Sequence, residues 1–349
     1  NAGSAITLNL AAGNETSTVT LNARNAADTA NAAGAISYRD ATGFSVAGIG
    51  TTSTVGLTVN AGDITQGAAA SDAIVAGGTT TLVAGANNVT LDNANNNFAS
   101  VGVTNANNVT LVDSNAIGLA ASTVTGNYDV TAGGNITQSG VLSVAGTPTF
   151  TTTVAGSDIL LGTQANNFSS LITTPVFTNN GNIRDLSLHN VALTAAVPTL
   201  PSGLRNLTLT FNNAGMTLPT VALTGTFTAT AGGTFTIPVA NSLTTSNAAI
   251  SITANDLDIA GTSSSGTATT SLIKNTTGDI YLGTSGSGMN ISGAELQNIT
   301  ANALNITNSF VGGKIFVDSI TTGDTPNISG TITLTAATAG GAITFQGAS

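Results

Sequence analysis

The stretch Val89 to Val101, VTLDNANNNFASV, returns seventy residues later as ILLGTQANNFSSL, Ile159 to Leu171. Val89, Leu91, Asn96, Asn97, Phe98, Ser100 and Val101 map at one offset onto Ile159, Leu161, Asn166, Asn167, Phe168, Ser170 and Leu171. A compact enzyme domain rarely repeats itself in this way, so the pattern predicts an elongated repeat architecture whose function lies on a surface rather than in a cleft.

Shorter recurrences give the period. LTVNAGDITQ (57–66) comes back as YDVTAGGNITQ (128–138) and as FTATAGGTFTI (227–237), each reading as strand, glycine-containing turn, strand. Asn88-Val-Thr-Leu recurs at Asn108, and Asp185-Leu-Ser-Leu recurs as Asn206-Leu-Thr-Leu, so one coil takes about twenty residues. No segment shows the i, i+3, i+4 spacing that helical or leucine-rich repeats need, whereas apolar and polar residues alternate with period two throughout. The expected fold is therefore all-β, a parallel β-solenoid with Val, Ile, Leu and Phe turned inward. About sixteen coils at roughly 4.8 Å each would make a rod on the order of 75 Å long.

Composition agrees with thin layers of small residues. Only 6% of the 349 residues are charged and 4% aromatic, with 41 glycines and no Trp. Residues 5–21 alternate cleanly, residues 22–50 are the least regular, and Ala26 to Ala33 is where a short helix could compete. The chain divides on this reading into less regular coils (1–56), regular repeats (57–183), irregular coils with loops at Pro198, Pro201 and Pro219 (184–219), and regular repeats again (220–349). The Asn pairs at 87–88, 96–97, 107–108 and 166–167 are expected at turns, with their amides laddering along the stack.

Charge and cysteine usage exclude whole classes. A net charge of −10 with six Lys and Arg leaves no basic surface for phosphate, so DNA and RNA are excluded as partners. The absence of cysteine removes disulfides, thiolate metal sites and cysteine nucleophiles, and suits a protein exported through an oxidising space. No run approaches eighteen consecutive apolar residues, so no transmembrane helix is expected. The start at Asn-Ala-Gly-Ser, without Met or a basic-then-apolar leader, is that expected of a processed or excised segment. Neither end carries an evident polar cap, so further coils or end-to-end stacking are expected.

The chemical constellations read as structural. Asp185, Ser187 and His189 alternate with Leu186 and Leu188 and share one strand face, but neighbours two apart stand roughly 6.5–7 Å from each other, too far for a hydrolytic triad. Asp256 and Asp258 share a face in the same way and could act as paired carboxylates or calcium ligands. They lack the aromatic and basic neighbours that grip sugar. Gly283, Gly286 and Gly288 in GTSGSG imitate a phosphate loop without its lysine or helix and are read as a turn. Arg184, His189 and Arg205 form a possible contact patch. Asn-X-Thr sequons at Asn14, Asn88, Asn108, Asn135, Asn206 and Asn298 follow from a composition rich in both residues. The threonine rows 226, 228, 230 and 149, 151, 153 imitate those of ice-binding solenoids, yet their irregular offsets predict no continuous face, and strand solubility is the expected reason for them. No catalytic residue, cofactor site or metal site is assigned.

Runs such as AGDITQ, GGNITQSG, SDILLGTQANNFSSL and GAELQNITANALNIT resemble the repeat regions of filamentous-haemagglutinin-like adhesins, over most of residues 55–345. The amino-terminal secretion domain of that family is not evident. The resemblance implies a right-handed parallel β-helix, export through a dedicated outer-membrane transporter, and an extracellular, non-enzymatic role in adhesion, aggregation or biofilm building. Its partner would be a polysaccharide, a cell-surface receptor or further copies of itself. The alternatives are a self-assembling protein of a surface layer, sheath or fibre, and, third, a polysaccharide lyase or hydrolase on the same fold.

Overall fold

A computed structural model describes residues 3–169, 174–337 and 339–347. Ser170 and Leu171, the last two positions of the mapped repeat, lie outside the described residues. The chain forms two compact units, Asn1–Ile183 with Pro198–Pro201, and Arg184–Val197 with Ser202–Ser349.

In the first unit short strands stack in parallel on three faces. One stack runs through Phe44–Thr51, Ile64–Gln66, Val89–Leu91, Val109–Asp113, Tyr128–Ala132, Pro148–Thr152 and Val176–Thr178, with register partners such as Val89↔Val109 and Val109↔Tyr128. A second runs through Ile6–Leu8, Ile36–Asp40, Val55–Val59 and the later part of Ile74–Val83. The third carries Ile117 over Ile136 over Ile159. This is the expected parallel β-solenoid. Val89 and its repeat equivalent Ile159 therefore belong to different stacks, because the seventy-residue repeat comprises three coils and one further face.

Alternation explains the core. In Val55–Val59 and Tyr128–Ala132 every second residue is buried, and Leu57, Ile64, Val101, Leu111 and Phe150 are fully enclosed. Consecutive coils lie so close that turn residues must be small. A Cβ on Gly62 would lie 1.8 Å from Thr42 O, on Gly133 2.1 Å from Ser114 O, and on Gly232 1.8 Å from Asn212 O. These are the glycines of the three AG-containing turns, so the recurring glycine answers to the carbonyl of the coil beneath.

The asparagines serve two purposes. At one corner they form the expected ladder: Asp63 Oδ1 accepts Asn88 N (2.8 Å), Asn88 Oδ1 accepts Asn108 N (3.2 Å), Asn108 Oδ1 accepts Asn127 N (2.9 Å), and Asn127 Oδ1 accepts Thr147 N (3.0 Å). Asn96 and Asn166, in contrast, are fully buried rather than at exposed turns. Asn96 Nδ2 donates to Gln66 Oε1 (2.9 Å) and Gln66 Nε2 returns a bond to Asn96 Oδ1 (2.6 Å), while Ile74 N donates to the same oxygen (2.8 Å). The second repeat rebuilds this clamp between Asn166 and Gln138, with Leu142 N as the third member (2.9 Å). A buried amide costs stability unless paired, which explains why ITQ and ANNF recur together.

The second unit stacks Asn206–Phe211, Phe227–Ala231, Ile250–Thr253, Thr269–Lys274, Ala303–Asn308 and Ile332–Thr335 in one column. Smaller stacks flank it: Met216–Thr217, Thr234–Ile237 and Asp256–Ile259 form one, and Val221–Leu223, Ser242–Thr245, Thr262–Ser264 and Ile299–Thr300 another. Ala26 to Ala33 forms turns, as its weak helix signal allows, and Ile36–Asp40 and Phe44–Thr51 are strands although residues 22–50 were expected to be the least regular. The helix lies instead at Gly293–Gln297, where Ser292 and Glu295 form a reciprocal capping box that favours helix over strand.

Candidate functional site

Each second residue of the large stack in the second unit faces outward, and consecutive strands pair without register shift. One outward column is Ser187, Thr208, Thr228, Ser251, Ser271, Asn305 and Thr333. A parallel column is His189, Thr210, Thr230, Thr253, Ile273, Thr307 and Thr335. All are half-buried or exposed, and from Thr208 and Thr210 onward none is charged or aromatic. Neighbouring rungs stand about 4.8 Å apart, and the two columns roughly 6.7 Å apart along each strand. The hydroxyls of Thr208, Thr210, Thr228, Thr230, Ser251 and Thr253 form no side-chain hydrogen bond within the described residues, and so meet water or a ligand. In the first unit Thr151 pairs with Thr178, and Thr79 with Ser100 (2.8 Å).

This overturns one expectation. Thr228 and Thr230 lie in register with Thr208, Thr210, Ser251 and Thr253, at offsets of 20 and 23 residues that vary only because the loops do. The row at 149 to 153 belongs to the other unit, where Thr149 lies between Asp129 and Val176. The signal available in the sequence was Thr-x-Thr at 208, Thr-x-Thr at 228 and Ser-x-Thr at 251.

Other candidates have structural partners. Arg205 forms an ion pair with Asp185, and Asn206 N donates to the same carboxylate (3.1 Å). The Arg205 hydrogen bond, with those of Asn206, outweighs burial and holds the Asp185 carboxyl below its usual range. His189 Nε2 faces Asn212 Oδ1 at 2.9 Å, and Arg184, near the other end of the same strand, is exposed. Asp256 Oδ1 accepts Asn290 N (2.7 Å) and Leu257 N (3.0 Å), whereas Asp258 is exposed. Gly283 and Gly286 lie in the link between the parallel strands Asp279–Leu282 and Gly288–Ile291, and Gly288 opens the second of them. A Cβ on Gly286 would meet the Tyr281 ring at 2.3 Å. The sequon nitrogens are engaged too: Asn88 Nδ2 donates to Asp63, Asn206 Nδ2 to Asp185, and Asn298 Nδ2 to Ile259 O (2.8 Å).

Buried ionisable groups, among them Asp40, Asp113 and Lys274, support the coils. Asp40 is fully enclosed and accepts from Tyr38 Oη (2.6 Å), Thr42 N (2.9 Å), Gly43 N (3.1 Å) and Thr16 N (3.2 Å). Burial pushes its pKa up, but these donors together pull it below the ordinary value. At Asp113 burial wins over the Asn115 and Phe98 amides, and the pKa is raised. Lys274, also buried, donates to Asn255 O (2.9 Å); desolvation lowers its pKa against the opposing pull of Asp256 and Asp279.

Residues 33–105 and 106–174 match a family of repeats of unknown function (DUF5649), together under half of the chain. Each match carries one copy of the Gln–Asn clamp. No curated protein and no solved structure matches the chain. Among the described residues no helix is long and apolar enough to cross a membrane, and no group of three or more His, Asp or Glu gathers to hold a metal ion.

Proposed function

We propose that the chain is a non-enzymatic extracellular bacterial adhesin or scaffold segment of the filamentous-haemagglutinin-like kind, exported with a dedicated outer-membrane transporter. The observation that carries this reading is the uncharged hydroxyl face of the second unit, held on strands in unbroken register. Stacked coils make a stiff support, because every interior strand is hydrogen-bonded above and below. Thr, Ser and Asn side chains then offer donors and acceptors to a polysaccharide or cell-surface receptor, in cell attachment, aggregation or biofilm contacts. Right-handed coiling belongs to the same proposal. The test is retention of the purified chain on bacterial cells and on immobilised polysaccharides. Binding that is lost on Thr228→Lys supports the reading, and absence of binding to every surface refutes it.

A second reading is self-assembly into a layer, sheath or fibre. A half-open apolar cavity of about 400 Å³ in the second unit favours it, lined by Leu296, Ile306, Ile332 and Phe345, the last 66% exposed. Electron microscopy over a range of concentrations separates the two. Ordered fibres or sheets without ligand mean that self-association is the function, and dispersed particles exclude it.

A further inference from the structure

The hydroxyl face of the second unit is regular beyond what contact with a receptor or a glycan requires. Three consecutive rungs present the same pair of branched hydroxyl side chains or their near equivalent: Thr208 with Thr210, Thr228 with Thr230, Ser251 with Thr253. The result is a grid repeating every 4.8 Å or so in one direction and about 6.7 Å in the other. Thr is stiff at χ1, so its hydroxyl and methyl are held in fixed directions before any ligand arrives.

A ligand that uses the whole grid must be periodic in two dimensions, able both to donate and to accept hydrogen bonds, and indifferent to the interleaved methyl groups. A folded protein partner is aperiodic and relies on buried aromatic or Arg anchors, which this face lacks. An anionic ligand would need Lys or Arg among the columns, and none stands there. A single soluble glycan chain is ordered in one dimension only and engages one row of the grid, and the ring at the foot of the columns, His189 beneath Thr210, is held by Asn212. A water lattice meets every condition, and the grid spacings are comparable with the oxygen repeats on the prism face of hexagonal ice.

We infer that this face binds ice: the Thr and Ser hydroxyls join the lattice, and the methyl groups hold the intervening water in an ice-like arrangement. The inference rests on the reading of the chain as a non-enzymatic adhesin and names a solid surface to which it attaches. The binding grid is strongest from Thr208 to Ser271. Ile273 and Asn305 interrupt it before Thr307, Thr333 and Thr335 resume the pattern.

The whole chain tests this without any substitution. Purified protein is cooled with a single ice crystal in a nanolitre osmometer, and its partition into a slowly grown ice hemisphere is measured. Faceting of the crystal and enrichment in the ice are expected. A round crystal with exclusion of the protein from the ice overturns the inference. Thr228→Lys and Thr230→Lys place a charged chain on the grid from outward positions, and circular dichroism and melting temperature establish that each remains folded. Loss of faceting in both is expected, with Thr110→Lys in the first unit unaffected. Faceting retained in both face variants overturns the assignment to this face. Retention on immobilised polysaccharides is measured on the same preparations. Glycan binding without ice binding overturns the ice inference and leaves the adhesin reading standing. Binding to neither ice, cells nor glycans overturns both.

Discussion

Asn96→Ala probes the device that the repeat was found to encode. The Asn96 carboxamide is fully buried and has four partner residues: it accepts from Gln66 Nε2 (2.6 Å) and Ile74 N (2.8 Å), and its two N–H groups are shared among Gln66 Oε1 (2.9 Å), Leu91 O (3.2 Å) and Val112 O (3.2 Å). Truncation leaves the Ile74 N–H facing a void, and a stranded buried donor costs about 1–3 kcal/mol. Gln66 is half-buried and can recover part of its hydration, so its two lost bonds contribute about 1 kcal/mol more. The two carbonyls each keep a second lone pair and are charged little. The expected loss is about 2–4 kcal/mol in all.

Because coils in a solenoid can open locally, two assays are needed. Urea unfolding gives the global cost, and hydrogen exchange at the Ile74 amide reports the local one, with exchange accelerating in the variant. Asn166→Ala should behave alike, since Gln138 and Leu142 repeat the arrangement. In a double-mutant cycle, Gln66→Leu with Asn96→Leu should show a coupling of about 0.5–3 kcal/mol. A loss below about 0.5 kcal/mol for Asn96→Ala, within the range of ordinary surface substitutions, would refute the clamp.

Three further outcomes follow from buried groups and close turns. Gly62 has a positive φ of 71° and Thr42 O where its Cβ would be, so Gly62→Ala should cost about 1–3 kcal/mol in urea unfolding, while Gly85→Ala, with φ 64° and open space around it, should cost less. Asp40 has a lowered folded pKa, so its stabilisation is complete above the unfolded value of about 3.9 and drains away as pH falls through the folded value. Unfolding at pH 7 and pH 3 should show that this acid loss is smaller in Asp40→Asn. Lys274 has a lowered folded pKa, so the unfolded chain binds more protons between that value and about 10.4, and stability should rise with pH across this window. Lys274→Met should flatten the rise in alkaline unfolding curves, and an unchanged slope would show that Lys274 is not the group responsible.

Most of the fold was legible because coil stacking imposes a period on the sequence. Strand positions around 57–66, 128–138 and 227–237, their glycine turns and the Asn88–Asn108 ladder all follow from repeated words and alternating burial. Less legible was anything that depends on which face a word occupies. Asn96 and Asn88 look alike in sequence, yet one is enclosed against Gln66 and the other is half-buried at a corner, because the partner lies thirty residues away in another strand. The short helix at Gly293–Gln297 was missed although Ser292 and Glu295 carry a capping signature, since the surrounding ITANALNIT pattern argues so strongly for strands.

The hydroxyl grid was hidden for a geometric reason. A vertical column collects one residue per coil, while loops between rungs differ in length: the offset is 20 from Thr208 to Thr228, 23 to Ser251, 20 to Ser271 and 34 to Asn305. A search at constant spacing sees only the steps that share a loop length, and so it finds the structural words rather than the outward columns. Structural residues are tied to the chain's own repeat because each must meet its equivalent or its clamp partner. Outward residues are tied only to strand register, which the core residues Leu209, Ala229, Ile252 and Leu272 maintain whatever the intervening loop contributes. Burial thus fixes the grid from behind. A loop insertion between rungs should leave face binding intact, whereas replacing buried Ile252 by a polar residue should abolish binding even though every exposed hydroxyl remains.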